Sequence, residues 1–515
     1  MSLAVAHSRA LIGLHAPEVR VEVHLGNGLP AFHIVGLPEA EVRESRDRVR
    51  AALLHTGFDF PNRRLTVNLA PADLPKESGR FDLPIAVGIL VASGQAPSEP
   101  LDELEFVGEL SLSGGIRPIR GALAMALAVA REARPRTLLL PVANGAEAAL
   151  VDGVRLLGAV DLAGVAAHLA GASALERIVA APCRAGRTRD ADFDFADVKG
   201  QAGAKRALEI AAAGSHNLLM IGPPGAGKSL MAQRLPTIQP ALTPDEALET
   251  AAVASLAGRF EPADWGRRPF RSPHHGASAA AIVGGGANPR PGEASLAHHG
   301  VLFLDELPEF SRAVLEALRE PLETGRIGVA RAARQVEFPA RFQLVAAMNP
   351  CPCGYLGGER CRCTAEQVRR YQARLSGPLL DRIDILIGVQ PIDEATLMRR
   401  AEGEPSAAIA ARVARARERQ LSRQAKPNAH LSPPEIDRHC ALDDAAAALL
   451  RQVARRQHWS SRALHRVHKL ARTIADLGGA EPIGAQHAAE AVAYRRALDV
   501  DAPPRRAPAT RPGMR

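Results

Sequence analysis

The chain has 515 residues, enough for two to four hydrophobic cores, and its 46% hydrophobic and 23% charged content excludes a disordered or collagen-like protein. No run approaches about 18 consecutive apolar residues, and the stretch from Met1 to Arg9 lacks the charged, apolar and cleavage-site succession of a secretory signal, so we expect a cytoplasmic protein with no membrane partner. The formal net charge of +8 points mildly to a polyanionic partner, because part of the arginine excess reflects codon supply.

Residues 1–175 alternate short strands and helices. The stretch from Val19 to Leu25 alternates apolar and polar positions, and Gly26 to Pro30 turns the chain into Ala31–Val35. A helix is expected from about Glu39 to His55, then strands at Leu65–Leu69, Phe106–Leu112, Thr137–Leu140 and Val154–Leu157. Residues 176–198 lose periodicity and carry Pro182, Gly186 and an acidic run, which predicts a linker. Residues 199–390 form the next unit.

That unit opens with the apolar run Leu218–Ile221 followed by Gly222, Pro223, Pro224, Gly225, Ala226, Gly227, Lys228 and Ser229, a complete G-x-x-x-x-G-K-[ST] phosphate loop. A strand feeding a glycine-rich turn and a helix lets backbone N–H groups converge on phosphate oxygens. Lys228 would reach the β- and γ-phosphates of ATP, and Ser229 would ligate Mg²⁺. The chain has six lysines in all, so a lysine here is not background drift. Downstream, Val301–Leu304 ends in Asp305 and Glu306, a Walker B pattern in which Asp305 would hold Mg²⁺ and Glu306 would polarise the attacking water.

Residues 322–338 read as a β-hairpin. Beyond it, Cys351, Cys353, Cys361 and Cys363 have the spacing C-x-C-x₇-C-x-C, with Gly354, Gly357 and Gly358 for tight turns. In a reducing compartment such spacing predicts one structural Zn²⁺ held by four thiolates, the alternative being free thiols. Cys183 and Cys440 stand alone. From residue 391 to 500 the pattern is helical, near 393–425, 443–457, 460–477 and 484–497, with Arg412 to Arg423 read as a solvated basic face. Residues 501–515, with four prolines, should be disordered.

The segments Arg271–His275, Pro291–Gly300 and Leu307–Phe310, set around both Walker elements, resemble the magnesium-chelatase branch of the AAA+ ATPases. Within it, roughly residues 3 to 500 are similar to the bacterial ComM (YifB) family, described as hexameric DNA helicases of branch migration in natural transformation. The resemblance implies an α/β fold class: an N-terminal Lon-protease-like (ribosomal S5 domain 2-like) domain, an AAA+ P-loop core and a C-terminal helical lid. It implies ATP and Mg²⁺ as cofactors, and as partners single-stranded or branched DNA and five further copies of the chain. Asn349 would be sensor 1, Arg382 the arginine finger reaching a neighbour's ATP, and Arg462 sensor 2. The hairpin would project into the pore, where Arg331 and Arg334 could track phosphates, the alternative being a solvated tip. With 3% aromatic residues, DNA binding should be electrostatic and salt-sensitive rather than dominated by stacking. His274, His275, His298 and His299 fit family segments and are not assigned as ligands.

The Lon resemblance runs through Thr66–Lys76 and Gly108–Ser111. A working site of that type needs a serine and a lysine, but the region Ile119–Ala124 contains no lysine, so Ser78 has no base and the domain is expected to be inert as a protease. Two further classes stay open: the motor subunit of a metal chelatase, against which the Lon-like domain argues, and an ATP-dependent protein remodeller.

Overall fold

The computed structural model describes residues 2–179, 193–286, 289–331, 334–398 and 403–495. Two sheets organise them. The first has eight strands, in the spatial order Glu176–Ile178, Leu156–Ala159, Thr137–Pro141, Leu104–Phe106, Ser2–Arg9, Glu18–Gly26, Arg64–Ala70 and Ala31–Val35, with mixed parallel and antiparallel pairing. Val19, Val21, Val23 and Leu25 alternate inward along their strand, as the sequence pattern predicts, and the helix Asp82–Ala92 covers them. That helix is buried on nearly all sides, so it carries no polar face. Gly88 lets it lie close to the sheet, because a β-carbon there would sit 2.5 Å from Val23 Cγ2.

Two local expectations are corrected, and one strand forms where none was expected. Ser2–Arg9 is a central strand that no alternation of large apolar residues announced. The expected strand over Phe106–Leu112 is split: Leu104–Phe106 stays in the sheet, while Glu109–Leu110 pairs with Ile116–Arg117 in a separate ribbon. Glu176–Ile178, inside the stretch expected to be a linker, pairs antiparallel with Leu156–Gly158. The sites of Cys183 and of the tail 501–515 lie outside the described residues.

The second sheet has five parallel strands in the order Phe270–Arg271, Val301–Leu304, Gln343–Met348, Leu218–Ile221 and Ile385–Gly388. Its strands read as continuous apolar runs because both faces are covered. Met220, Phe303, Val345 and Ile387 join one core, whereas Leu219, Leu302, Leu344 and Leu386 join the other. The first core is closed by the helices Ala202–Gly214, Ser406–Gln424, Ser461–Gly478 and Ala485–Ala493. The strand ends carrying residues 221, 304 and 348 therefore open along one edge, where a parallel sheet binds ligands.

C-terminal helices form at Ser406–Gln424, Asp444–Arg456, Ser461–Gly478 and Ala485–Ala493, together with Pro433–His439, which the periodicity had not marked. The basic helix is not the solvated face expected. Arg417 is buried and donates to the Ala212 and Ala213 carbonyls and to Ser215 Oγ. Arg412 pairs with Glu209 and Glu404, and Arg423 with Asp476. The two sheet units meet where the helix Ala122–Ala130 packs on Pro244–Leu256, with Met125 and Val129 in one cluster with Ala251 and Ala252.

Candidate functional site

The phosphate loop is shaped by three glycines with different tasks. Gly222 admits no side chain, since a β-carbon would lie 2.3 Å from the Val389 carbonyl oxygen. Gly225 and Gly227 take φ of 77° and 86°, the left-handed region that glycine enters without steric cost. The helix Lys228–Arg234 then starts with its first amides facing the loop.

Lys228 is buried. Its Nζ donates to the Gly222 carbonyl at 2.7 Å, the Pro223 carbonyl at 2.9 Å and Asn349 Oδ1 at 3.2 Å. Burial lowers its pKa, and the carboxylates of Asp305 and Glu306 oppose that shift. Ser229 Oγ donates to Asp305 Oδ2 at 2.6 Å, and the Glu306 N–H donates to Asp305 Oδ1 at 2.9 Å. A hydroxyl and a carboxylate held this close form the hard-oxygen donor set that Mg²⁺ prefers. Glu306 stands exposed at the end of its strand with φ of 52°. These residues surround one cavity of about 370 Å³, lined by Pro224 to Leu230, Asp305, Glu306, Met348 and Asn349. Sequence reasoning missed a neighbour: His275 Nδ1 lies 3.3 Å from Glu306 Oε2. Only the fold brings residues thirty positions apart together here, so no local motif announces the contact.

Neither predicted arginine enters this cavity in its own chain. Arg382 is buried, donates to the Pro378 carbonyl at 2.7 Å and pairs with Glu323. Arg462 is exposed and lines a separate cavity of about 680 Å³ with Arg341, Arg466, Lys469 and Lys426. Arg331 and Arg334 are backbone register partners in the ribbon Arg326–Arg331 and Arg334–Pro339, and their side chains lie outside the described residues.

The four cysteines converge. Cys351 Sγ is 3.4 Å from Cys353 Sγ and 3.9 Å from Cys361 Sγ, and one sulfur from each of the four lies within 4.8 Å of the others. Backbone N–H groups of Tyr355 and Arg362 pull the Cys353 thiol down to about 6, whereas burial pushes Cys351 up to about 12. Four convergent sulfurs suit a tetrahedral soft-donor metal such as Zn²⁺. Glu249, His298 and His299 also cluster, but as a hydrogen-bonded brace: His298 Nδ1 accepts the Arg341 N–H at 3.0 Å, so its Nε2 carries the proton that faces Glu249 at 3.1 Å. A metal at that nitrogen would need an imidazolate.

In the first sheet unit, Ser78 holds φ of 64°, and its Oγ accepts from Arg80 Nε at 2.8 Å. A guanidinium cannot serve as the base that a serine nucleophile requires.

Three family models match the chain. "Magnesium chelatase, subunit ChlI" covers residues 194–397, "Subunit ChlI of Mg-chelatase" 21–144, and "Magnesium chelatase, subunit ChlI C-terminal" 403–495. The uncharacterized protein YifB of Salmonella typhimurium is 50% identical over 96% of this chain and 97% of its own length. The competence protein ComM of Haemophilus influenzae is 48% identical over 96% of this chain and 98% of its own. The chain belongs to the ComM (YifB) family. An uncharacterized protein of Mycobacterium tuberculosis is 42% identical over 96% of the chain and 99% of its own length. The likeness also extends, at 27% identity over 34% of the chain, to a Xenopus laevis maternal DNA replication licensing factor, mcm3. Among the described residues of this ComM-family chain, no helix is long and apolar enough to cross a membrane.

Proposed function

We propose that the chain is an ATP-hydrolysing ring motor, and that it acts as a DNA helicase or branch-migration translocase supporting recombination during natural transformation. The observation that carries the first part is the meeting of Lys228, Ser229, Asp305, Glu306 and Asn349 around one cavity at the open edge of a parallel sheet. Lys228 and the loop amides would hold the phosphates. Ser229 and Asp305 would hold Mg²⁺, which when bound offsets charge on the phosphate oxygens. Glu306 would orient and polarise the attacking water, and Asn349 would sense the γ-phosphate. His275, 3.3 Å from Glu306, is suited to hold that carboxylate when no nucleotide is present.

Arg382 supports a ring, because it does not line its own chain's nucleotide cavity, as an arginine finger serving a neighbour must not, and Arg462 keeps the sensor 2 role that the family resemblance gives it. DNA as the partner is supported by the relative named competence protein, by the net charge of +8, by the paired strands that bring Arg331 and Arg334 to one tip, and by the likeness to a replication factor. The organisation that fits this reading has a Lon-like domain lacking a protease dyad, whose sheet runs on past residue 175 to Glu176–Ile178, an AAA+ core at 199–390 with the Cys₄ insertion 351–363 and its structural zinc, and a helical lid at 391–500.

The test is ATP turnover with and without single-stranded and forked DNA. Strong stimulation that fades as salt rises supports the helicase reading. Turnover indifferent to DNA leaves an ATPase and moves the weight to the chelatase motor, the reading that the three matching models favour by description.

A further inference from the structure

The stretch 351–363 has no regular secondary structure of its own. It is tied internally by single turns such as Gly354 N–H to the Cys351 carbonyl and Cys361 N–H to the Gly358 carbonyl, and it exposes Tyr355 and Leu356. A loop with so little apolar burial owes its shape to whatever cross-links it. Yet this loop leans on the nucleotide cavity. Asn349, which accepts from Lys228, lies two residues before Cys351. Gly354, next to Cys353 and at φ of 86°, packs so closely that a β-carbon there would be 2.5 Å from Pro224 Cδ and 3.8 Å from Asn349 Cγ. The phosphate loop thus has the cysteine turn as its back wall.

We infer that a metal held by Cys351, Cys353, Cys361 and Cys363 braces the phosphate loop, fixing Gly354 against Pro224 and Asn349 beside Lys228, so that metal occupancy sets nucleotide affinity. This rests on the proposed reading of the Cys₄ group as a zinc site and of residues 222–229 as a nucleotide site. Metal removal loosens the turn, the wall behind Pro224 is lost, and binding weakens although every residue that touches nucleotide is still present. Gly357 provides a matched control: it has φ of 81° in the same loop, but a β-carbon there meets nothing within 4 Å.

The experiment measures zinc per chain by elemental analysis and the Kd for a fluorescent ADP analogue by titration. The proteins are full-length wild type as purified, wild type stripped with a chelator and then reloaded with Zn²⁺, Gly354→Ala and Gly357→Ala. We expect about one zinc per wild-type chain, a Kd raised about tenfold or more on stripping, and recovery on reloading. Gly354→Ala should keep its zinc and bind nucleotide about tenfold more weakly, while Gly357→Ala, sharing the backbone strain, should stay within about twofold of wild type. Unchanged affinity after stripping, or equal behaviour of the two alanine variants, overturns the inference. Wild type without metal that takes none up overturns the zinc reading beneath it. Failure of the proposed function looks different, since zinc-loaded wild type would then bind no nucleotide.

Discussion

Replacing Asp305 by asparagine separates charge from shape at the proposed Mg²⁺ position. The carboxylate accepts from Ser229 Oγ at 2.6 Å and from the Glu306 N–H at 2.9 Å. Asparagine keeps an oxygen for the amide and can donate to the serine oxygen, so both contacts survive in neutral form. Hydrogen bonds to charged groups are worth about 1.5–3 kcal/mol against about 0.5–1.5 for neutral ones, and with two such bonds converted fold stability should fall by about 2 kcal/mol. A metal loses more, because the one carboxylate paired with the serine hydroxyl becomes an amide dipole. The Mg²⁺ concentration for half-maximal phosphate release should rise about tenfold or more, and saturated turnover should drop on the order of a hundredfold. The assay is a Mg²⁺ titration of phosphate release at fixed ATP, with thermal unfolding recorded alongside. A variant that unfolds normally and needs no more Mg²⁺ than wild type would refute the role given to Asp305.

Other outcomes follow from the same geometry. Under the proposed ring, Lys228→Ala and Arg382→Ala should each abolish turnover, but mixed in equal amounts they should recover roughly one quarter of the wild-type interfaces, since the proposal puts the two residues of one chain at different cavities; no recovery on mixing would contradict action across a subunit interface. Arg417→Ala leaves the Ala212 and Ala213 carbonyls and Ser215 without their donor and should cost about 3 kcal/mol in urea unfolding, whereas exposed Arg415→Ala should stay within about 0.5 kcal/mol. Burial lowers His298 to about 4, against the attraction of Glu249. The unfolded chain therefore takes up a proton near pH 6.5 that the folded chain refuses, and this stability is complete above 6.5 and lost as pH falls toward 4, by at most about 3 kcal/mol. His298→Gln should flatten the urea-midpoint profile in that window, and an unaltered slope would speak against the buried neutral imidazole.

The parts of the site readable in the sequence are those whose chemistry is local. A glycine loop between a strand and a helix and two carboxylates ending an apolar run each fall within a few residues, so Lys228, Ser229, Asp305 and Glu306 could be named from local pattern, whereas Asn349 was named only through the family resemblance. The structure brings all five to one cavity. His275 was passed over because its nearness to Glu306 is made by the neighbouring pairing of Phe270–Arg271 with Val301–Leu302. Arg417 was misread for a related reason: the carbonyls it satisfies belong to a helix two hundred residues earlier, and an arginine in a basic stretch gives no sign that it points inward. The strand Ser2–Arg9 escaped notice because its inward positions include Ala4, Ala6 and Ser8, which carry little β-signal.

Glu306→Gln tests the central claim most directly, measured as ATP affinity and phosphate release on the same preparation. The exchange keeps the side chain's size and removes the charge that would polarise water. The account predicts ATP binding within about twofold of wild type and turnover lowered by at least about a hundredfold, with or without DNA. Wild-type turnover by Glu306→Gln would contradict it.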